Sequence, residues 1–181
     1  MEFMEWGRLK WGDKMGFKEH KCHALKNVNV SVLTVSDTRT KENDESGKYI
    51  MKKLEENSHK IISYSIIRDE KKLLRDELRK LVNNDDVQVI ITNGGTGASR
   101  RDITVDVVEG LLDKKLNGFG EIFRYLSYKE IGSPAVMSRS IAGAVKNKII
   151  ICLPGSLDAV KLGVEKLIIP EIGHLVWEVN R

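Results

Sequence analysis

The sequence of 181 residues predicts a three-layer α/β/α domain on a mostly parallel central sheet. Three observations carry this expectation. β-branched runs alternate with amphipathic helical stripes, the pattern of βαβ units. Lys148 to Leu153 is a nearly unbroken apolar run, as in a strand buried on both faces. The glycine-rich turn Gly94-Gly95-Thr96-Gly97 directly follows a strand pattern. Open α/β sheets bind ligands beyond such strand ends.

In chain order, residues 28 to 35 alternate and read as the first strand, followed by a polar loop from Ser36 to Glu45. Tyr49, Ile50, Met51 and Leu54 share one helical face. Residues 61 to 67 form a second strand, and Leu74, Leu78, Leu81 and Val82 mark an amphipathic helix. Residues 87 to 92 form a third strand. Thr104, Val107, Val108, Leu111 and Leu112 give one helical stripe, and Phe119, Ile122, Phe123 and Leu126 give another. After the strand ending at Leu153, the stripe Leu157, Val160, Val164, Leu167 and Ile168 predicts a last helix. Pro170 should stop or kink it before Ile172. Residues 1–17 read as an N-terminal tail, expected to be poorly ordered, and residues 18–181 as one domain.

Composition narrows the function classes. Hydrophobic residues are 41% and charged residues 31% of the chain, ordinary for a globular protein. No apolar run approaches the ~18 residues of a membrane span. The net charge of +4 suits an anionic ligand. Nucleic acid is disfavoured, because Lys and Arg alternate with Asp and Glu around residues 71–80 instead of clustering, and no aromatic-studded basic stripe accompanies them. The two cysteines, Cys22 and Cys152, make no disulfide framework, so the cytoplasm is the expected location. Cys152 lies in an apolar run and reads as a buried thiol. His20, Cys22 and His23 lack a fourth ligand at a recognised spacing.

The glycine turn carries the chemistry. Glycine admits positive φ and lets backbone approach a ligand, and successive N–H groups there can cradle phosphate oxygens. Thr96, Arg100 and Arg101 could add donors. No Lys-Ser or Lys-Thr follows, so the turn is not a P-loop, and its spacing is not GxGxxG. Asp102 lies five residues past Gly97, and Asp69 ends another strand. A carboxylate beside a phosphate becomes favourable when Mg²⁺ sits between them. Each aspartate could equally be a helix cap or turn residue, and spacing alone leaves both readings open.

Thr92 to Asp102, read as TNGGTGASRRD, resembles the TxGGTGxxxRD signature of the MoaB/MogA molybdopterin-binding family of molybdenum-cofactor biosynthesis proteins. Val32 to Asp37, Asp44 to Gly47, Ser138 to Gly143 and Leu153 to Ser156 resemble the family's other blocks in the same order, and the likeness spans about Lys18 to Val179. The resemblance implies a compact α/β fold, self-association to a trimer or hexamer, and binding of molybdopterin. It implies adenylylation of the molybdopterin phosphate by ATP with Mg²⁺, in molybdenum or tungsten cofactor synthesis. By the same resemblance Asp69 and Asp102 are the catalytic, Mg²⁺-holding pair. Gly94, Gly95, Thr96 and Gly97 form the phosphate loop, joined by Arg101, and Ser36 and Asp37 line the pocket. Ser138, Arg139 and Ser140 face the pterin, and Pro154, Gly155 and Ser156 lie near the nucleotide. Where other branches carry Pro-Gly-Asn-Pro, this chain has Pro154-Gly155-Ser156-Leu157, as in the MoaB branch, some of whose members are poor adenylyltransferases. A non-catalytic molybdopterin carrier or scaffold is therefore the competing expectation. Other cofactor-biosynthesis proteins are expected partners; nucleic acid and membranes are not. Tyr125, Tyr128 and Phe123 are the candidate self-association residues.

Overall fold

The computed structural model describes residues 23–181, so the N-terminal tail, His20 and Cys22 lie outside the described residues. The elements in chain order are β1 (Asn29–Val35), α1 (Glu45–Glu56), β2 (Lys60–Ile67), α2 (Lys71–Val82), β3 (Val89–Asn93), α3 (Thr104–Glu109) and β4 (Lys114–Lys115). There follow α4 (Asn117–Ile131), a 3-10 turn (Ser133–Met137), β5 (Ile141–Val145), β6 (Lys148–Leu153), α5 (Leu157–Gly163), a π-helical turn (Val164–Ile168) and α6 (Ile169–Asn180).

One six-stranded sheet runs in the order β2-β1-β3-β6-β5-β4. β1 pairs in parallel with β2 and β3, and β3 with β6. The side chains of β3 and β6 alternate between the two faces, as a pleat requires. Val89, Ile91, Ile149 and Ile151 pack with α1, α4, α5 and α6 through Ile50, Leu54, Phe123, Val160 and Val176. Ile90, Ile150 and Cys152 pack with α2 and α3 through Leu74, Leu78, Val107 and Val108. These two apolar layers on opposite faces confirm the three-layer expectation. Burial of Cys152 pushes its thiol up to about 12, so the group is an unreactive part of the core, as expected.

Three details depart from the sequence reading. The sheet gains two antiparallel strands, β5 and β4. Ile141-Ala142-Gly143-Ala144-Val145 carries β-branched residues only at its ends, so its pattern is weak; a two-residue turn with Lys146 at φ +52 nonetheless folds it back onto β6. α3 stops at Glu109, where the Gly110 N–H closes on Asp106 and Val108. Leu111 and Leu112 pack against the core from the following turn. Pro170 neither stops nor cleanly kinks the last helix. The chain winds through the π turn Val164–Ile168 immediately before it, and Pro170 lies in the first turn of α6. A wider turn accommodates the missing proline N–H without ending the helix. Among the described residues, no helix is long and apolar enough to cross a membrane.

Candidate functional site

The C-terminal ends of β1, β3 and β6 and Asp69, two residues past β2, open into one cavity of about 500 Å³. That size suits a small-molecule ligand. Beneath its floor lies a buried polar chain. Asp44 caps α1 by accepting from the Gly47 N–H at 2.9 Å. It also accepts from Thr34 Oγ1 at 2.5 Å and Tyr64 Oη at 2.7 Å, tying β1 and β2 to the helix. Burial, then the bond to Asp44, pushes the Tyr64 phenol above its ordinary range. Asn93 Nδ2 donates to Thr34 Oγ1 at 2.8 Å, which brings β3 into the same network.

The loop is pinned at Gly94. Its φ is +99, and a Cβ there would lie 2.2 Å from the Val35 carbonyl oxygen. An L-residue would meet a left-handed penalty of about 1–2 kcal/mol before that clash is counted. The Gly94 N–H donates to the Leu153 carbonyl at 3.0 Å. Arg139 holds the outer side of the loop. Its backbone N–H donates to the Thr96 carbonyl at 3.0 Å, Nε to the Gly97 carbonyl at 2.8 Å, and Nη2 to the Asp102 carbonyl at 2.7 Å. Nη1 pairs with Asp106 at 2.8 Å. With the carbonyls engaged, the Gly95 and Thr96 amides have no acceptor among the described residues. A ligand oxygen can take them.

The two aspartates are not helix caps. The N-cap residues of α2 and α3 are Glu70 and Ile103, and neither helix has a side-chain cap. Asp69 and Asp102 both line the cavity. Burial first, and then the Asp102 charge, raises the Asp69 carboxyl above the ordinary carboxylate range. Burial opposes ionisation of Asp102 too, but hydrogen bonds from Ser99 and Gly97 and the Arg139 charge outweigh it and hold its carboxyl low. The Ser99 N–H donates to Asp102 Oδ2 at 2.9 Å. Thr104 Oγ1 is buried with no partner in the protein. It flanks the same notch as Asp69: a Cβ on Gly95 would lie 2.4 Å from Thr104 Oγ1 and 3.2 Å from Asp69 Oδ1.

Of the residues the sequence pointed to, Ser36, Asp69, Gly94, Gly95, Thr96, Gly97, Arg101, Asp102, Ser138, Pro154, Gly155 and Ser156 line the cavity. Asp37, Arg139 and Ser140 do not. Asp37 pairs with Arg101 and accepts from the Asp69 N–H at 3.3 Å, so it braces the wall from behind. Arg139 clamps the loop from outside, because its guanidinium is engaged by loop carbonyls and Asp106. Ser140 is fully buried and Ser138 Oγ donates to it at 3.2 Å. Sequence reasoning missed Phe123, Ser127 and Ile131, which α4 adds to the cavity wall. Their spacing of four residues along one helix face, with Ser127 as a buried hydroxyl, was the available signal. Phe123 is 1% exposed and so belongs to this wall and the core, not to a self-association surface.

The raised Asp69 carboxyl has a consequence for stability. A raised acid favours the folded state while it is protonated, and that contribution is lost as pH rises through its folded value. Asp69→Asn should therefore raise the melting temperature modestly at slightly alkaline pH in metal-free buffer. The gain should vanish toward the ordinary carboxylate range. Melting curves of both proteins across that pH span check it.

Residues 31–174 match the model of a family described as "Probable molybdopterin binding domain". Molybdenum cofactor biosynthesis protein B of Bacillus subtilis (strain 168) is 46% identical over 168 residues, 92% of this chain and 99% of that protein. Its counterpart in Bacillus cereus is 45% identical over the same coverage. A crystal structure of a molybdenum cofactor biosynthesis protein B superposes with TM-score 0.84 at 45% identity, over 86% of this chain and 98% of that one. The tungsten cofactor synthesizing protein MoaB from Pyrococcus furiosus superposes with TM-score 0.80 at 35% identity, over 87% of this chain and 100% of that one. The cavity at the strand ends thus sits in a shared framework, and the chain belongs to the molybdopterin-binding family of molybdenum and tungsten cofactor biosynthesis.

Proposed function

We propose that the protein transfers an adenylyl group from ATP to the terminal phosphate of molybdopterin, giving molybdopterin-adenylate and pyrophosphate. The observation that carries this reading is the placement of Asp69 and Asp102 together beside the open amides of Gly95 and Thr96. A site that only holds a phosphate has no use for two carboxylates there, since each repels the ligand.

The donor set fits Mg²⁺. Among the described residues no cluster of three or more His, Cys, Asp or Glu side chains forms. Mg²⁺ needs no such cage, because it takes one or two carboxylates and fills its shell with water and substrate phosphates. Asp69 and Asp102 would hold it, and the unpartnered Thr104 hydroxyl lies beside Asp69. Bound there, the cation would neutralise charge between the reacting phosphates.

The chain's own groups supply the rest. The Gly95 and Thr96 amides orient a phosphate, and Arg139 keeps the loop in shape. An oxygen of the molybdopterin phosphate attacks the α-phosphorus of ATP. The bond from that phosphorus to the β-phosphate oxygen breaks, and its electron pair leaves with pyrophosphate. Such chemistry rests on positioning and charge stabilisation, so no covalent nucleophile is required. Phe123 and Ile131 offer an apolar wall for the flat pterin.

Purified protein with molybdopterin, ATP and Mg²⁺ should form molybdopterin-adenylate. Asp102→Asn, which keeps an oxygen for the Ser99 hydrogen bond, should lower kcat by at least about a hundredfold, the scale of a lost charge-stabilising group, while the melting temperature changes far less than the rate. Molybdopterin binding without product in the wild type would instead establish a carrier.

Self-association is part of the same reading. Ile122, Tyr125, Tyr128, Val136 and Met137 are each more than half exposed on α4 and the following 3-10 turn. An apolar face of that kind fits a second copy of the chain. Sedimentation velocity should show a trimer or larger species for wild type and a monomer for Tyr125→Glu.

A further inference from the structure

We propose that a basic cleft beside the main cavity is a diphosphate subsite, which receives the leaving group of the reaction proposed above and rests on that reading for its physiological use. The cleft, of about 400 Å³, lies over the ends of β1 and the edge strand β2. Arg39, Lys41 and Arg68 line it, and all three are exposed. Ser36 and Arg39 line both this cleft and the main cavity, so the two are continuous.

The charge balance favours an anion. Asp37 is the cleft's one carboxylate, and the Arg101 guanidinium already pairs with it. The nearby Glu42 carboxylate does not line the cleft; Thr40 holds it, with Lys48 and Lys41 adding attraction. No carboxylate of the described residues makes an ion pair with Arg39 or Arg68. The Arg39 guanidinium donates to the Asn43 carbonyl at 3.0 Å, a neutral partner that leaves its charge uncompensated.

On the reading above, the acceptor phosphate is held at the open Gly95 and Thr96 amides, over β3. In-line displacement expels the leaving group on the side opposite the attacking oxygen. Along the sheet the order from the loop outward is β3, β1, β2. On the β1 and β2 side of β3, where the uncompensated cations lie, a departing diphosphate passes Ser36 and Arg39 and meets Lys41 and Arg68. Guanidinium groups suit phosphate oxygens because their fork can donate two hydrogen bonds at once.

The test is calorimetric titration of inorganic pyrophosphate into the full chain with Mg²⁺, for wild type and for the double variant Lys41→Ala/Arg68→Ala. Both side chains are exposed, so the variant should melt like the wild type. Pyrophosphate affinity should fall at least about tenfold, the scale of one lost charge-assisted contact. AMP, which lacks the distal phosphates, should bind both proteins equally. Unchanged pyrophosphate affinity in the variant, an equal loss for AMP, or no pyrophosphate binding by wild type would each overturn the subsite. Binding needs no turnover. A protein that binds pyrophosphate through these residues but forms no adenylate would refute the reaction and keep the subsite.

Discussion

Everything at the site depends on the close approach of three strand ends at Gly94. The Val35 carbonyl of β1 occupies the place a Cβ would need, the Leu153 carbonyl of β6 takes the Gly94 N–H, and the backbone adopts a left-handed φ. With that amide and the loop carbonyls engaged inside the protein, Gly95 and Thr96 are left as the open donors. The parallel sheet makes this possible, since β1, β3 and β6 all end on the same rim. The Asp44, Thr34 and Asn93 chain locks the rim from below.

Much of this was legible in the sequence, because the signals were local. β-branched alternation gave the parallel strands, and three glycines after a strand marked the loop. The parts that were not legible depend on contacts distant in sequence. Arg139 lies 42 residues from Gly97, and nothing in its neighbours shows that it clamps a loop instead of facing a ligand. Asp37 likewise braces Asp69 across 32 residues. Spacing alone left Asp69 and Asp102 readable as caps or turn residues; the geometry removes the cap, since both helices start without side-chain capping, while Asp102 also accepts from the Ser99 N–H in its own turn. β5 escaped notice because its small residues carry no strong pattern, and its pairing with β6 comes from the turn at Lys146.

The site is electrostatically divided. Asp102 is held in its charged form by hydrogen bonds and Arg139, and its charge works against ionisation of Asp69. A protein selected for stability alone would not keep two such carboxylates in one notch. Cations surround them: Arg39 and Arg101 on the rim, Arg68 and Lys41 beyond it. On the proposed reading, phosphate-rich substrates carrying their own divalent cation would bring the charges into balance. The apolar wall from α4 completes a pocket for a ligand with one flat end and one anionic end.

The most direct measurement is an amide chemical-shift titration of the labelled protein with molybdopterin, with and without Mg²⁺. This account predicts that the Gly95 and Thr96 amides move most, and only when Mg²⁺ is present. Unmoved loop amides, or the same shifts without the cation, would contradict it.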